Sequence, residues 1–160
     1  MKPLLIFPTV LLTLLFAGCK KDKNNSVTGN KLKAGRWQIS AASLTTGYNG
    51  KDTTIDYYSG WLACEQDDYI EFGDKGKGTS NENSNKCPED AQVTDFEWEL
   101  QDNDSKLKIT LTGGAKIRST GSSTAVSDIV EIASTHLKLK HTEVKNGQTA
   151  VIIETYKNTR

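Results

Sequence analysis

The chain contains several short segments in which apolar and polar side chains alternate residue by residue. This period of two is typical of a β-strand that has one buried face and one solvated face. The clearest case is the pair FEWELQ and KLKITLT, which the polar stretch DNDS separates. Because Asp and Asn favour tight turns, this pair predicts a β-hairpin. Similar alternation occurs in GRWQIS, DYIEFG and HLKLKH, whereas SDIVEIAS and AVIIETY place apolar residues on both faces and cannot be phased.

About eight such strands, joined by hairpin-length connections and without a long helical stripe, predict an all-β fold. Strands with one apolar and one charged face favour closure into an antiparallel up-and-down barrel around an apolar interior, and a two-layer sandwich is the alternative. The inward-facing side chains are the candidates for lining a ligand cavity. They are Trp37, Ile70, Phe72, Phe96, Trp98, Ile109, Leu137 and Leu139.

The first residues have the layout of a bacterial export signal. Lys2 precedes a mostly apolar run that ends in Phe16-Ala17-Gly18-Cys19. The run is shorter than the ~20 residues that a membrane-spanning helix needs. Its end resembles the lipobox of bacterial lipoproteins, in which the cysteine receives lipid and becomes the first residue after cleavage. The resemblance implies a signal peptide over residues 1–18, lipid on Cys19, and a protein anchored in the bacterial cell envelope at the outer membrane.

Composition sets the expected domain organisation. Residues 19–31 are polar and basic, which predicts a flexible lipidated tether. Residues 32–160 are long enough for one domain, which we expect to be monomeric. The formal net charge of the chain is +0. It lacks the basic surplus of nucleic-acid-binding proteins, so no nucleic-acid partner is expected.

The three cysteines favour one disulfide. With Cys19 assigned to lipid, Cys64 and Cys87 remain, and an even remainder in an exported protein favours a bond between them. A metal pair is the alternative, but neither cysteine belongs to a CxxC motif. His136 and His141 would face opposite sides of one strand. We therefore expect no metal site and no cofactor.

The sequence lacks the nucleophile elbow, the phosphate loop, the HExxH motif and the dinucleotide fingerprint. Glu65, Asp67 and Asp68 form an acidic cluster with the ligand chemistry for calcium, and the alternative is a solvated loop before a strand. The run YYSGW suits either stacking on a flat ligand or packing at a barrel rim. We expect no catalytic residues and no enzymatic activity.

The order of the segments resembles the lipocalin-like domains of bacterial lipoproteins of the Bacteroidota type. A Gly-x-Trp motif, Gly35 to Trp37 in GRWQIS, comes first, and LACEQDDYIEFGDKGKGT, a second cysteine, FEWEL, IVEIASTHLKLK and ETYK follow. The resemblance implies an eight-stranded up-and-down barrel with Trp37 at its closed end. It also implies a basic side chain over that tryptophan, with Lys157 and Arg160 as candidates, and no catalytic residues.

These features predict a membrane-anchored lipoprotein whose lipocalin-like barrel binds a small apolar or amphipathic ligand. The alternative is a structural or accessory envelope lipoprotein that docks a protein partner and has no ligand cavity.

Overall fold

The computed structural model describes residues 24–48, 51–88, 90–117, 120–145 and 147–160. One α-helix and nine strands form the framework of this part of the chain. The helix is α1 (Val27–Ala34), and the strands are β1 (Arg36–Tyr48), β2 (Lys51–Asp56), β3 (Tyr69–Phe72), β4 (Lys77–Asn81), β5 (Val93–Gln101), β6 (Lys106–Leu111), β7 (Thr124–Ile132), β8 (His136–Lys145) and β9 (Gln148–Asn158).

The strands form a closed antiparallel barrel. The sheet closes because β1 pairs with β9 on one edge and with β2 and β3 on the other. Segment β2 lies opposite residues 43–48 of β1, and β3 lies opposite residues 36–38. The two segments therefore share one position in the wall, so that nine segments make an eight-stranded barrel. This confirms the predicted barrel and excludes the sandwich.

Helix α1 covers one end of the barrel. The side chain of Leu32 is fully buried, and its carbonyl oxygen accepts the indole N–H of Trp37 at 2.8 Å. Gly35 lies against the same indole, where a Cβ would be 2.3 Å from the ring. We call this the closed end and the opposite one the open end. The turns 73–76, 102–105 and 133–135 lie at the closed end, and the segment 57–68 and the described parts of the connections 82–92 and 112–123 lie towards the open end.

The core fills the half of the barrel next to the closed end. The ring of Phe72 meets Phe96 and Trp98 edge-on, at centroid distances of 5.5 and 5.3 Å. Gly78 makes room for Phe96, since a Cβ there would lie 2.3 Å from the ring. Such edge-to-face contacts add to the stabilisation from area burial. The buried cluster consists of Leu32, Trp37, Phe72, Phe96, Trp98, Leu100, Leu107, Leu137 and Leu139.

The fold begins earlier than the expected boundary at residue 32. Residues 24–31, which the composition assigns to the flexible tether, include most of α1 and the buried Asn24. The Asn24 amide donates to the Trp98 carbonyl oxygen and accepts the Leu100 N–H, each at 3.1 Å. The Ser26 hydroxyl caps α1 by accepting the Gly29 N–H at 3.0 Å. These contacts are hydrogen bonds of polar side chains, which leave no alternation of apolar residues in the sequence. Composition therefore does not reveal them.

Residues 1–23, with the predicted signal peptide and Cys19, lie outside the described residues. Among the residues that the structure does describe, no helix has both the length and the apolar character needed to cross a membrane.

Bulges explain why one segment cannot be phased from sequence. The β7–β8 register shifts between Ile129 and Glu131, so Ile129 and Ile132 both pack against the core. A second shift, in β1 next to Ile39, allows Ile39 and Ala42 both to be buried. Each bulge inserts one extra residue into its strand. Inward-facing residues therefore switch between odd and even numbers on passing the bulge.

Candidate functional site

All eight predicted inward-facing side chains point into the barrel. Ile70 and Ile109 are half-buried and pack against the core towards the open end. The other six belong to the core, and each is at most 4% exposed: Trp37, Phe72, Phe96, Trp98, Leu137 and Leu139. Their inward placement is observed, whereas their contact with a ligand remains a prediction.

The closed half of the barrel leaves little room for a ligand, because protein atoms surround these six side chains almost completely. Inner positions nearer the open end are less covered. Leu44 pairs with the buried Ile152 and lies opposite Ile55, so all three face inward. Leu44 and Leu111 are half-buried, and Ile55 is 52% exposed. A ligand that enters the barrel would therefore contact the open half.

Ionisable side chains of β8 and β9 interrupt this apolar inner wall. We call His141 and Glu143 of β8 and Glu154 and Tyr156 of β9 the polar wall. Their inward direction follows from the register, because directly paired residues share a face of the sheet. Their partners on the neighbouring strand are Ile152, Ala150, Leu139 and Leu137, and all but Ala150 are buried.

Hydrogen bonds hold the polar wall together. The Tyr156 hydroxyl donates to Glu154 Oε2 at 3.0 Å. Burial, and then the charge and hydrogen bond of Glu154, raise the pKa of Tyr156 well above its usual range, so the phenol keeps its proton. The His141 ring places Nδ1 3.1 Å from the Val126 carbonyl oxygen and Nε2 3.3 Å from Glu143 Oε1. The polar wall thus consists of two hydrogen-bonded pairs, Tyr156 with Glu154 and His141 with Glu143.

Sequence reasoning missed the polar wall. Continuing the parity of Leu137 and Leu139 along β8 leads directly to His141 and Glu143. The alternation in HLKLKHTEVK places these two residues on the inner face. It can be used only if the strand is known to continue to Lys145. On β9, Glu154 and Tyr156 lie in the segment that resisted phasing.

A disulfide joins Cys64 to Cys87, which confirms the predicted pairing. It links the segment 57–68, which interrupts the wall between β2 and β3, to the connection between β4 and β5. Closing a loop of this length stabilises a fold by about 3 kcal/mol in the chain-entropy model. The disulfide therefore restrains two neighbouring connections at the open end.

The aromatic residues of YYSGW contact one another. Tyr57 and Tyr58 lie 6.1 and 5.7 Å from the Trp61 ring, measured between centroids, and all three are half-buried. The Tyr58 hydroxyl donates to the Gln66 carbonyl oxygen at 3.2 Å. These contacts match the packing interpretation of the run better than an exposed stacking platform.

The acidic residues predicted as a cluster have separate roles. Glu65 Oε2 accepts the Leu62 N–H at 2.6 Å and so closes its own turn. Asp67 Oδ2 accepts the Ser84 hydroxyl at 3.2 Å and the Asn85 N–H at 3.1 Å. Asp67 thereby joins the two disulfide-linked connections.

Asp68 lies among other carboxylates. Partial burial, followed by the charges of Glu82, Asp67 and Asp90, raises the pKa of Asp68 to about 7. Its Oδ1 atom is buried without a hydrogen-bond partner in the described part of the chain. Glu82 and Asp90 lie within 4.8 Å of each other and of the Cys87 sulfur, but that sulfur is in the disulfide and cannot act as a thiolate ligand. The cluster is therefore repulsive when Asp68 is ionised.

Arg160, one of the two basic residues implied to cover Trp37, has other partners. Arg160 donates to the Lys33 carbonyl oxygen at 3.4 Å and binds Glu71 Oε1 at 2.8 Å. Lys157 is exposed. Helix α1 covers the Trp37 indole through Leu32 and Gly35, as described above.

Comparison with known proteins identifies this architecture. A family model described as "Lipocalin-like domain" matches residues 34–139, from the end of α1 to Leu139 in β8. No curated protein is significantly similar to the chain in sequence.

The solved structures that match this chain do so at low sequence identity. A lipocalin-like protein from Bacteroides uniformis is 14% identical, with 76% of this chain and 96% of that chain covered and a TM-score of 0.40. A complex of bovine odorant binding protein with a selenium-containing odorant is 17% identical, with 81% and 73% covered and a TM-score of 0.39. A deswapped triple mutant of bovine odorant binding protein is 19% identical, with 78% and 72% covered and a TM-score of 0.38.

Asp68→Asn is predicted to stabilise the protein at slightly alkaline pH. Because folding raises the pKa of Asp68 from 3.8 to about 7, the folded state holds the proton more tightly than the unfolded state. The free energy of unfolding therefore falls as pH rises through this window and levels off above it. After a discount for solvent screening, we expect Asp68→Asn to add about 1–2 kcal/mol at a pH of about 8 and nothing at a pH of about 4.

Urea denaturation followed by tryptophan fluorescence at both pH values measures this effect. The matched control is Asp95→Asn, which changes an exposed aspartate and should alter the free energy of unfolding by less than about 0.5 kcal/mol. An Asp68→Asn protein that is less stable than the wild type at the higher pH would contradict the account.

Proposed function

The chain belongs to the lipocalin-like domain family, and we propose that its barrel binds a small apolar or amphipathic molecule in the open half. Eight-stranded barrels of this kind are wide enough for their own side chains or for one small ligand. The observation that carries the proposal is the difference in burial between the two halves of the inner face. Trp37 is fully buried at the closed end, whereas Leu44 is half-buried and its cross-strand partner Ile55 is 52% exposed nearer the open end. We propose binding rather than catalysis.

Apolar contact supplies the main driving force in this proposal. Burying about 400 Å² of apolar ligand and protein surface is worth about 10 kcal/mol. Loss of translational and rotational freedom costs at least about 4 kcal/mol, which leaves a binding free energy of about −6 kcal/mol. We therefore expect dissociation constants of tens of micromolar or weaker, on the order of 10⁻⁴ M. The restrained connections at the open end limit the further entropy that binding has to remove.

Binding of the neutral fluorescent probe N-phenyl-1-naphthylamine tests the proposal. The protein for this measurement is a chain that begins at Lys20, which retains every described residue, including α1, all strands and the disulfide. We expect a saturable rise in probe fluorescence. Ile55→Glu places a charge at an exposed inner position and should weaken binding about tenfold.

Leu62→Glu is the matched control, because Leu62 is 62% exposed and lies in the segment 57–68 outside the strands. It should leave the affinity unchanged. The absence of saturable binding by the unsubstituted chain would contradict the proposal and favour the alternative, a filled barrel that docks a protein partner.

We also propose that lipid on Cys19 anchors the protein to a membrane of the bacterial cell envelope, at the outer membrane. The support is the apolar run that ends in Phe16-Ala17-Gly18-Cys19. Since Asn24 is bound at the closed end, only residues 20–23 separate a lipidated Cys19 from the barrel. Four or five extended residues span at most about 17 Å. The closed end would therefore face the bilayer, and the open end would face the aqueous compartment.

Cys19→Ser is predicted to abolish lipidation. Metabolic labelling of the full chain with an alkyne fatty acid in a Gram-negative host, followed by coupling to a dye and electrophoresis, measures the attached lipid. The wild type should carry the label and Cys19→Ser should not. Cys64→Ser, which removes a disulfide cysteine, is the control and should remain labelled. A label that persists in Cys19→Ser would rule out this anchor.

A further inference from the structure

Strand β2 lies at a free edge of the barrel wall. In the described part of the chain it pairs with β1 alone, and all six of its residues, Lys51–Asp56, are exposed. The neighbouring position in the wall would belong to a longer β4. That strand ends at Asn81, opposite Tyr69 at the start of β3, so it does not reach β2. The wall therefore lacks half a strand beside β2.

The connection that follows β4 is held against the segment that follows β2. The Cys64–Cys87 disulfide joins the two, and Asp67 Oδ2 accepts hydrogen bonds from Ser84 and Asn85. Because every residue of β2 is exposed, the described part of this connection leaves the edge uncovered.

The β1–β2 register determines which backbone groups point to the free edge. The Tyr57 N–H donates to the Ala42 carbonyl oxygen at 2.9 Å, so these two residues form a hydrogen-bonded pair. Such pairs alternate along an antiparallel ladder, and the odd-numbered residues of β2 therefore direct their backbone groups to β1. The backbone groups of Asp52, Thr54 and Asp56 point away from β1.

Five of these backbone groups suit pairing with an added strand. They are the N–H and C=O groups of Asp52 and Thr54 and the N–H group of Asp56, whose carbonyl oxygen accepts the Ser59 hydroxyl at 3.1 Å. An extended peptide that joins a sheet edge gains affinity from main-chain hydrogen bonds and specificity from alternate side chains. The free edge of β2 has this geometry.

The side chains of β2 determine which strand fits. Since Ile55 faces inward, Asp52, Thr54 and Asp56 face outward. Directly paired residues share a face of the sheet, so basic side chains opposite the two aspartates would form ion pairs on the outer face. Apolar side chains between them would face the open half next to Ile55. The surroundings add to this preference, because residues 51–68 contain five carboxyl groups and one lysine.

A second copy of this chain fits the edge poorly. An antiparallel pair of β2 strands centred on Thr54 would place Asp52 of each copy opposite Asp56 of the other. Like charges directly opposite each other destabilise a strand pair. Charged side chains on an edge strand discourage indiscriminate pairing, and two outward charges of the same sign discriminate against acidic and identical strands in particular.

From these observations we propose that β2 binds a partner protein through an extended segment in which basic and apolar side chains alternate. The segment adds an antiparallel strand to the free edge of β2. Its basic side chains pair with Asp52 and Asp56 on the outer face, and its apolar side chains cover the inner face beside Ile55. This inference goes beyond the proposed ligand site and does not depend on it.

Fluorescence anisotropy of labelled synthetic peptides tests the inference on the chain that begins at Lys20. The probe is a short peptide in which lysine and valine alternate. The comparison peptides are a lysine–glycine peptide of equal charge and a glutamate–valine peptide. We expect the lysine–valine peptide to bind saturably and about tenfold more tightly than either of them. Asp52→Asn should weaken its binding about threefold, whereas Asp95→Asn, which changes an exposed aspartate of β5, should leave it unchanged.

N-methylation of the peptide tests the backbone pairing without altering the protein. In antiparallel pairing the lysines lie opposite Asp52 and Asp56, so the lysine N–H groups are the ones that point to β2. Methyl groups on the lysine backbone nitrogens should weaken binding by about tenfold or more, whereas methyl groups on the valine nitrogens should change it by less than about threefold.

Three results would overturn the inference. A lysine–glycine peptide that binds as tightly as the lysine–valine peptide would reveal a general attraction between charges. Equal effects of the two methylation patterns would exclude an added strand. Dimers in analytical ultracentrifugation that Thr54→Pro dissociates would assign the edge to a second copy of the chain, because this substitution removes an N–H group that points to the free edge. Binding of N-phenyl-1-naphthylamine tests the proposed function separately.

Discussion

The hydrogen bond from the Trp37 indole to the Leu32 carbonyl oxygen is the contact on which the arrangement of the barrel depends. A buried indole N–H without an acceptor would cost about 1–3 kcal/mol, so this bond holds α1 across the closed end. With α1 in place, the core packs beneath it and fills the closed half. The open half is then the part of the interior where inner side chains keep accessible surface, and the functional proposals concern that half.

The alternating pattern was enough to predict the barrel, because a strand with one wetted face has to bury the other. FEWELQ and KLKITLT pair as a hairpin, and Trp37, Phe96 and Leu137 face inward as expected. The disulfide followed from counting cysteines. Each of these features depends on composition or on strict period two, which are properties of the sequence itself.

Other features depend on contacts between distant residues and leave no periodic signal. Asn24 belongs to the fold because its side-chain amide hydrogen-bonds to a backbone carbonyl and a backbone N–H of β5. These groups lie more than seventy positions away along the chain. The bulge at Ile129 changes the inward parity within one strand. The polar wall was missed for a related reason, since His141 and Glu143 occupy inner positions that an alternation rule reserves for apolar side chains. Such departures from the local rule are expected where a site has a role other than packing.

The account divides the interior into a packed closed half and an open half that receives the apolar part of a ligand. Methyl NMR of the chain that begins at Lys20, titrated with dodecanol, tests this division most directly. The account predicts shifts for the methyl groups of Leu44, Ile109 and Ile152, and none for Leu32 and Leu137 in the core. Shifts confined to outward-facing valines such as Val126 and Val144, with no change at the three inner residues, would contradict it.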